Sequence, residues 1–284
     1  MTHQRELSGS TVLGTLKDDV LRLSKDMASE DFRLRGLFLL DLTFQPDPAE
    51  RRFRYEVVVA QTTGQGACYS AETGIDLNPI SDELIGKDCR ETNSSIRHSS
   101  VELAVLDAVY SAFPNSPEDS VLLDGPAFDK SVQRANIVVD EVTRLLCRGS
   151  DLRGKEIVNI GVVGNFIRTL RARRAIVYAT DLDQSIIGRE IAGVQIENGE
   201  LNEDRIADAD LALVTGMVLS TNTVDEIIQW CHQYDTKLII FAETGANFAA
   251  AYCRMGVDTA VSEPFPFYIF SGLTKINIYR ASRN

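Results

Sequence analysis

The sequence predicts a doubly wound, mostly parallel α/β sheet preceded by a smaller α+β domain. Three observations carry this. From Lys155 onward, short apolar runs alternate with helical segments, the pattern of a parallel sheet with right-handed crossovers. Residues 157–166 (IVNIGVVGNF) read as a buried strand that ends at two glycines three residues apart, Gly161 and Gly164, and then enters a helix. Before about residue 115 the order is instead a helix, a small antiparallel sheet and a helix. The proline- and acid-rich stretch 114–126 separates the two, giving a small α+β domain over 1–125 and a ligand-binding domain over 126–284.

In the first part, residues 11–27 carry apolar positions at helical spacing and predict an amphipathic helix. Residues 35–44 (RGLFLLDLTF) and 53–61 (FRYEVVVAQ) are β-like runs separated by turn chemistry, and 66–70 extends the sheet. Residues 99–113 (SSVELAVLDAVYSAF) begin with serines able to cap a helix and keep Val101, Ala104, Val105, Ala108 and Val109 to one side. A helix over about 129–147 opens the second part. There strands are predicted at 157–162, 175–179, 211–215, 238–242 and 258–261, with 275–279 as an edge strand. Helices follow from 166, 223 and 248.

Composition narrows the function. Hydrophobic residues make up 44% and charged residues 25%, ordinary values for a globular chain. The net charge of −12 argues against a nucleic-acid or anionic-membrane partner; the dense basic stretch 168–174 is explained by a solvated helix face. There is no apolar run of membrane-spanning length, and MTHQRELSGS lacks the core of a signal peptide. Cys68, Cys89, Cys147, Cys231 and Cys253 are odd in number and widely spaced, which suits reduced thiols in a cytoplasm. With three histidines and no CxxC or HxxxH, no metal site is expected, and adjacent Cys231 and His232 point about 100° apart on a helix. No GxxxxGK[ST] loop is present, which argues against nucleoside triphosphate hydrolysis. A homodimer is the base-rate expectation.

In such sheets ligands bind beyond the carboxyl ends of the strands, so the loops there hold the candidate residues. Gly161, Gly164, Asn165 and Phe166 form a GxxG turn that suits a nucleotide or adenosyl compound, or is simply a tight strand–helix turn. Asp181 lies about 20 residues further on, where a carboxylate matches the two hydroxyls of a ribose; the alternative is a helix cap. Thr215 and Gly216 open a loop in which Ser220 and Asn222 either meet a ligand's polar end or cap the following helix. Glu243 is placed to attract a cation or transfer a proton, unless it is an exposed loop acid. Phe166 or Tyr178 offers a ring face to a cation.

The stretches VNIGVVGNF, ADLALVTGMVLSTNTVDEIIQWC and KLIIFAETGANFAAAYCRMGVDTAVS resemble the Rossmann-like family labelled "putative heavy-metal chelation". The VGxF turn and the TGxxLxNxT loop carry the likeness. Ser100, Glu102, Ala104 and Ala108 are similar to the helix of that family's enolase-N-terminus-like partner domain. The resemblance spans most of 35–265, and Glu243-Thr244-Gly245 stands where the family usually has Gly-Pro. The second half also loosely resembles class I S-adenosylmethionine-dependent methyltransferases. The expectation is therefore a methyltransferase-like enzyme that binds S-adenosylmethionine as cofactor or substrate, by group transfer, cyclisation or elimination. Glu243, Ser220 and Tyr178 are its candidate catalytic residues. The alternatives are a binding protein for a heavy metal, metal chelate or metallocofactor precursor, a nicotinamide or other nucleotide binder, and a scaffold.

Overall fold

The computed structural model describes residues 11–45, 52–92, 96–147 and 149–282. The N-terminal segment 1–10 and the predicted turn from Pro46 to Arg51 lie outside the described residues. Among the described residues the chain forms a three-stranded antiparallel sheet and a nine-stranded mostly parallel one.

The first unit holds α1 (Val12–Leu23), β1 (Gly36–Phe44), β2 (Phe53–Gln61), β3 (Gln65–Tyr69), α2 (Leu77–Leu84), α3 (Cys89–Thr92) and α4 (Ser99–Tyr110). Thr11 caps α1 by accepting the Gly14 N–H, and Val12, Leu16 and Val20 form its buried stripe. Strands β1 and β2 pair from Gly36↔Gln61 to Phe44↔Phe53. Helix α4 is buried on nearly all sides, so its sequence is apolar round the whole circumference. It lies directly on β3: a Cβ on Gly66 would stand 2.1 Å from the Ala108 nitrogen and 2.4 Å from the Ala104 carbonyl. The small residues at 104 and 108 are what permits that approach.

The second unit holds β4 (Asp119–Leu123), α5 (Ala127–Leu146), β5 (Glu156–Ile160), α6 (Gly164–Ala172), β6 (Ile176–Asp181), β7 (Glu190–Ile191), β8 (Val194–Asn198), α7 (Asn202–Asp208), β9 (Leu211–Thr215), α8 (Val224–Gln233), β10 (Lys237–Ala242), α9 (Ala249–Arg254), β11 (Thr259–Ser262) and β12 (Thr274–Arg280). The strand order is β4-β12-β11-β10-β9-β5-β6-β8-β7. Strands β8-β6-β5-β9-β10-β11 are parallel neighbours, the doubly wound order that reverses between β5 and β9. Alternate strand residues bury on opposite faces. Ile157, Leu213, Ile239 and Phe241 pack under α5 and α6, whereas Val158, Val214 and Ile240 pack under α8, α9 and the small unit. With both faces covered, the strands read as continuous apolar runs.

Three details depart from the sequence reading. The stretch 114–126 is not only a connector, because Asp119–Leu123 pairs with β12 and becomes the sheet edge. Strand β12 therefore sits one place inside. Residues 182–210, without a clear apolar period, contain β7, β8 and α7. Among the described residues no helix is long and apolar enough to cross a membrane.

The two units are tied by a polar knot. Buried Asp107 of α4 accepts the Ala67 N–H on one carboxylate oxygen and the Asn247 N–H on the other, both at 2.9 Å. The Asn247 amide donates to the Gln65 carbonyl, and Thr244 Oγ1 accepts the Tyr69 N–H at 2.9 Å. Strand β3 is thereby fixed to the loop after β10. Asp107→Ala leaves the buried Ala67 N–H and the partly buried Asn247 N–H without acceptors, a buried one costing about 1–3 kcal/mol. Chemical denaturation should show a loss of about 2–5 kcal/mol, and a loss below 0.5 kcal/mol (roughly a surface-substitution effect) would refute this role.

Candidate functional site

The turns after β5 and β9 touch where the strand order reverses. Gly161 has φ +75°, and a Cβ there would stand 2.2 Å from Thr215 Oγ1. Only glycine satisfies both the left-handed backbone and the contact. Beyond this contact opens a cleft of about 430 Å³ along the carboxyl edge of the sheet.

At one end of the cleft Asp181 stands beside the apolar side chains Leu182, Ile186 and Ile196. Asp181 Oδ2 accepts the Val162 N–H at 2.8 Å and Oδ1 accepts the Asp183 N–H at 2.9 Å, so the carboxylate also braces two loops. The Gly161 N–H goes to the Thr180 carbonyl and the Val163 N–H to Asn159 Oδ1. Three successive N–H groups of the turn are thus already occupied. The Asn165 side chain donates to Ser131 Oγ at 3.0 Å and accepts from Arg168.

The other end has a charged floor. Arg134 of α5 is 4% exposed. Its Nη1 donates to Glu243 Oε1 at 2.7 Å and to Glu263 Oε2 at 3.0 Å. The guanidinium lies 3.9 Å over the Tyr268 ring and 4.9 Å over Phe241. Glu263 is fully buried, and its Oε1 accepts the Tyr268 N–H. Glu243 keeps 17% of its side chain exposed, at the cleft floor. Burial pushes its carboxyl up to about 8; Glu263 adds to the shift and Arg134 opposes it. Burial also works against the charge on Arg134, but Glu243 and Glu263 outweigh it and raise its pKa.

The small sheet supplies the opposite wall. Phe44, Phe53 and Tyr55 come from the β1–β2 hairpin and Tyr69 from the end of β3. Phe44 and Phe53 stack at 5.5 Å, and Tyr55 meets Tyr69 edge-on at 5.3 Å.

Of the residues singled out in the sequence, Gly161, Gly164, Asn165, Asp181, Thr215, Gly216 and Glu243 all line the cleft. Four do not. Phe166 is fully buried between α6 and the sheet, its ring 5.2 Å from Phe241, because it shares the buried face of the helix with Ile167 and Leu170. Tyr178 sits three residues before the end of β6, about 10 Å back from the edge; its hydroxyl donates to Glu156 and Arg205 covers its ring. Ser220 is buried and spends its hydroxyl on the Met217 carbonyl. Asn222 is exposed with φ +56° and shapes the turn into α8. Thr221 and Thr223, from the same loop, do reach the cleft.

No sequence motif points to Arg134, Glu263, Tyr268 or the aromatic wall as parts of the cleft. Arg134 carried a signal: it falls on the stripe Ser131, Arg134, Ala135, Val138, Val142 that α5 buries, where a charge needs a partner.

A family model described as "Putative heavy-metal chelation" matches residues 149–260. Two solved structures are similar over nearly the whole chain, and both are proteins of unknown function placed in that family (DUF364). The one from Desulfitobacterium hafniense is 10% identical, with a TM-score of 0.55, covering 92% of this chain and 98% of its own. The one from Pyrococcus horikoshii is 14% identical, with a TM-score of 0.57, covering 95% and 99%. At these identities the likeness shows a shared fold. No curated protein matches the sequence.

The donor set does not fit a heavy metal. Among the described residues no three His, Cys, Asp or Glu side chains are grouped to hold an ion. Burial raises the thiols of Cys68, Cys89, Cys231 and Cys253, which disfavours the thiolate a soft metal requires. In the cleft, Asp181 and Asp183 already serve backbone N–H groups, and Glu243 serves Arg134.

Gly161→Ala should destabilise the protein by about 1–3 kcal/mol, the cost of a strained residue. Thr215→Ala should recover part of that loss in the double variant, read as a coupling in thermal or urea unfolding. Strict additivity would show that the two turns do not constrain each other.

Proposed function

We propose that the cleft binds an adenosyl ligand without a diphosphate, S-adenosylmethionine being the chemical type, and that the protein is a methyltransferase-like enzyme acting on it. What carries this reading is the occupied turn. A dinucleotide needs the N–H groups of the turn and the helix start for its pyrophosphate, and those of Gly161, Val162 and Val163 already have protein acceptors, which leaves it only the start of α6. An adenosyl group makes no such demand. Its base fits against Leu182, Ile186 and Ile196, and its ribose hydroxyls meet the remaining lone pairs of Asp181. The cationic end then lies toward Glu243 and the tyrosines of the facing wall.

The chemistry supported is group transfer, or cyclisation or elimination within the ligand, because a sulfonium is already an activated leaving group. Positioning and exclusion of water by the aromatic wall then supply most of the rate. Ser220 and Tyr178 have no part in this reading, and Glu243 is its remaining acid–base candidate.

Calorimetry against S-adenosylmethionine, S-adenosylhomocysteine, NAD and divalent metal ions tests it. Both S-adenosyl compounds should bind, with NAD weaker by at least about tenfold. Asp181→Asn should weaken the adenosyl ligands by about 10- to 100-fold, as for loss of a charged hydrogen-bond acceptor. Tight binding of NAD or a metal ion with no response to either S-adenosyl compound would overturn the proposal.

A further inference from the structure

Arg134 contacts its two carboxyl partners through a single nitrogen. Nη1 serves both Glu243 and Glu263, while buried Nε has no hydrogen-bond partner. Fully ionised, the three groups would carry one net negative charge in a place nearly closed to water, an arrangement a buried site disfavours. The two carboxyls are brought together on that one nitrogen, at 2.7 and 3.0 Å. A single proton between them completes the charge balance, as in other buried carboxyl pairs.

The surroundings fix where that proton resides and where it can go. Glu263, after β11, is sealed: one oxygen accepts from Tyr268 N–H, the other from Arg134. Tyr69 of β3 and Tyr268 are the other titratable groups facing Glu243, and burial raises both phenols, which therefore stay neutral. Arg134 is held charged. Of the two carboxyls, Glu243 is the one that opens to the cleft, at 17% exposure against 0% for Glu263.

We propose that Glu243 holds one proton against Glu263 in the empty cleft and that a cationic sulfonium group bound against Glu243 expels it to solvent. The exchange balances: the cluster goes from neutral to one negative charge, the ligand supplies the compensating positive charge, and the proton passes to buffer. Glu243 thereby becomes the residue that distinguishes a sulfonium from the neutral thioether left after transfer, and Glu263 and Arg134 are its positioning residues. The identity of the cation as a sulfonium rests on the adenosyl reading; the proton pair does not.

Two measurements separate these parts. Infrared difference spectra of the ligand-free protein at pH 6–7 (roughly a unit or more below the Glu243 titration) should show a protonated-carboxyl C=O band that Glu243→Gln and Glu263→Gln both alter, separate from the contribution of buried Asp107, whose carboxyl burial raises to about 7. Its absence, or its survival in both variants, overturns the proposal. Trimethylsulfonium, a probe independent of adenosine recognition, should abolish the band at saturating concentration. Calorimetry in buffers of different ionisation enthalpy should then show about one proton released with S-adenosylmethionine and close to none with S-adenosylhomocysteine. Failure of S-adenosylmethionine to bind, while trimethylsulfonium still removes the band, would sink the adenosyl reading and leave the proton pair standing. A band that persists with trimethylsulfonium, or proton uptake on binding, would overturn the exchange itself.

Discussion

The contact between Gly161 and Thr215 is the constraint on which the rest of the site depends. Strands β5 and β9 are neighbours, but their crossovers run in opposite directions, so their loops part and leave a crevice. The left-handed backbone at Gly161 turns the chain sharply enough for α6 to start at Gly164. Any side chain at 161 would push the β9 turn outward and widen the crevice. From this point the cleft extends one way to Asp181 and the other to Glu243.

The second requirement is that the small sheet stays over this edge. Helix α4 provides the apolar part, packed on β3 through Gly66, Ala104 and Ala108. Asp107 and Thr244 provide the polar part, converting a sliding contact into a registered one. Glu243-Thr244-Gly245 thus has two tasks in adjacent residues: Thr244 docks the facing wall, and Glu243 forms the cleft floor. The aromatic side chains are held over the charged floor by the same loop that bears its acid.

Much of this was legible in the sequence, for local reasons. Apolar runs separated by helices gave the parallel sheet, and the spacing from Gly161 to Asp181 placed two loops at one edge. Side-chain direction was less accessible. Tyr178 offers a ring face close in sequence to the Asp181 loop, yet three residues of strand put it about 10 Å away. Phe166 belongs to the loop in sequence and to the core in space, because the third residue of α6 already faces the sheet. For Ser220 and Asn222 the sequence allows two roles, and the local hydrogen bond and backbone angle show them shaping the turn. The floor and far wall were harder still. Arg134, Glu263 and Tyr69 come from three separate regions of the chain, and only tertiary packing brings them to Glu243.

Hydrogen–deuterium exchange with S-adenosylhomocysteine and S-adenosylmethionine tests the central claim most directly, namely that the crevice at the strand reversal is the ligand site. Protection is expected at 161–166, at 181–199 and at 215–218, together with the wall strands at 53–61 and 65–69. Protection confined to the sheet edge at β4, or binding of either compound without protection of these segments, would contradict it.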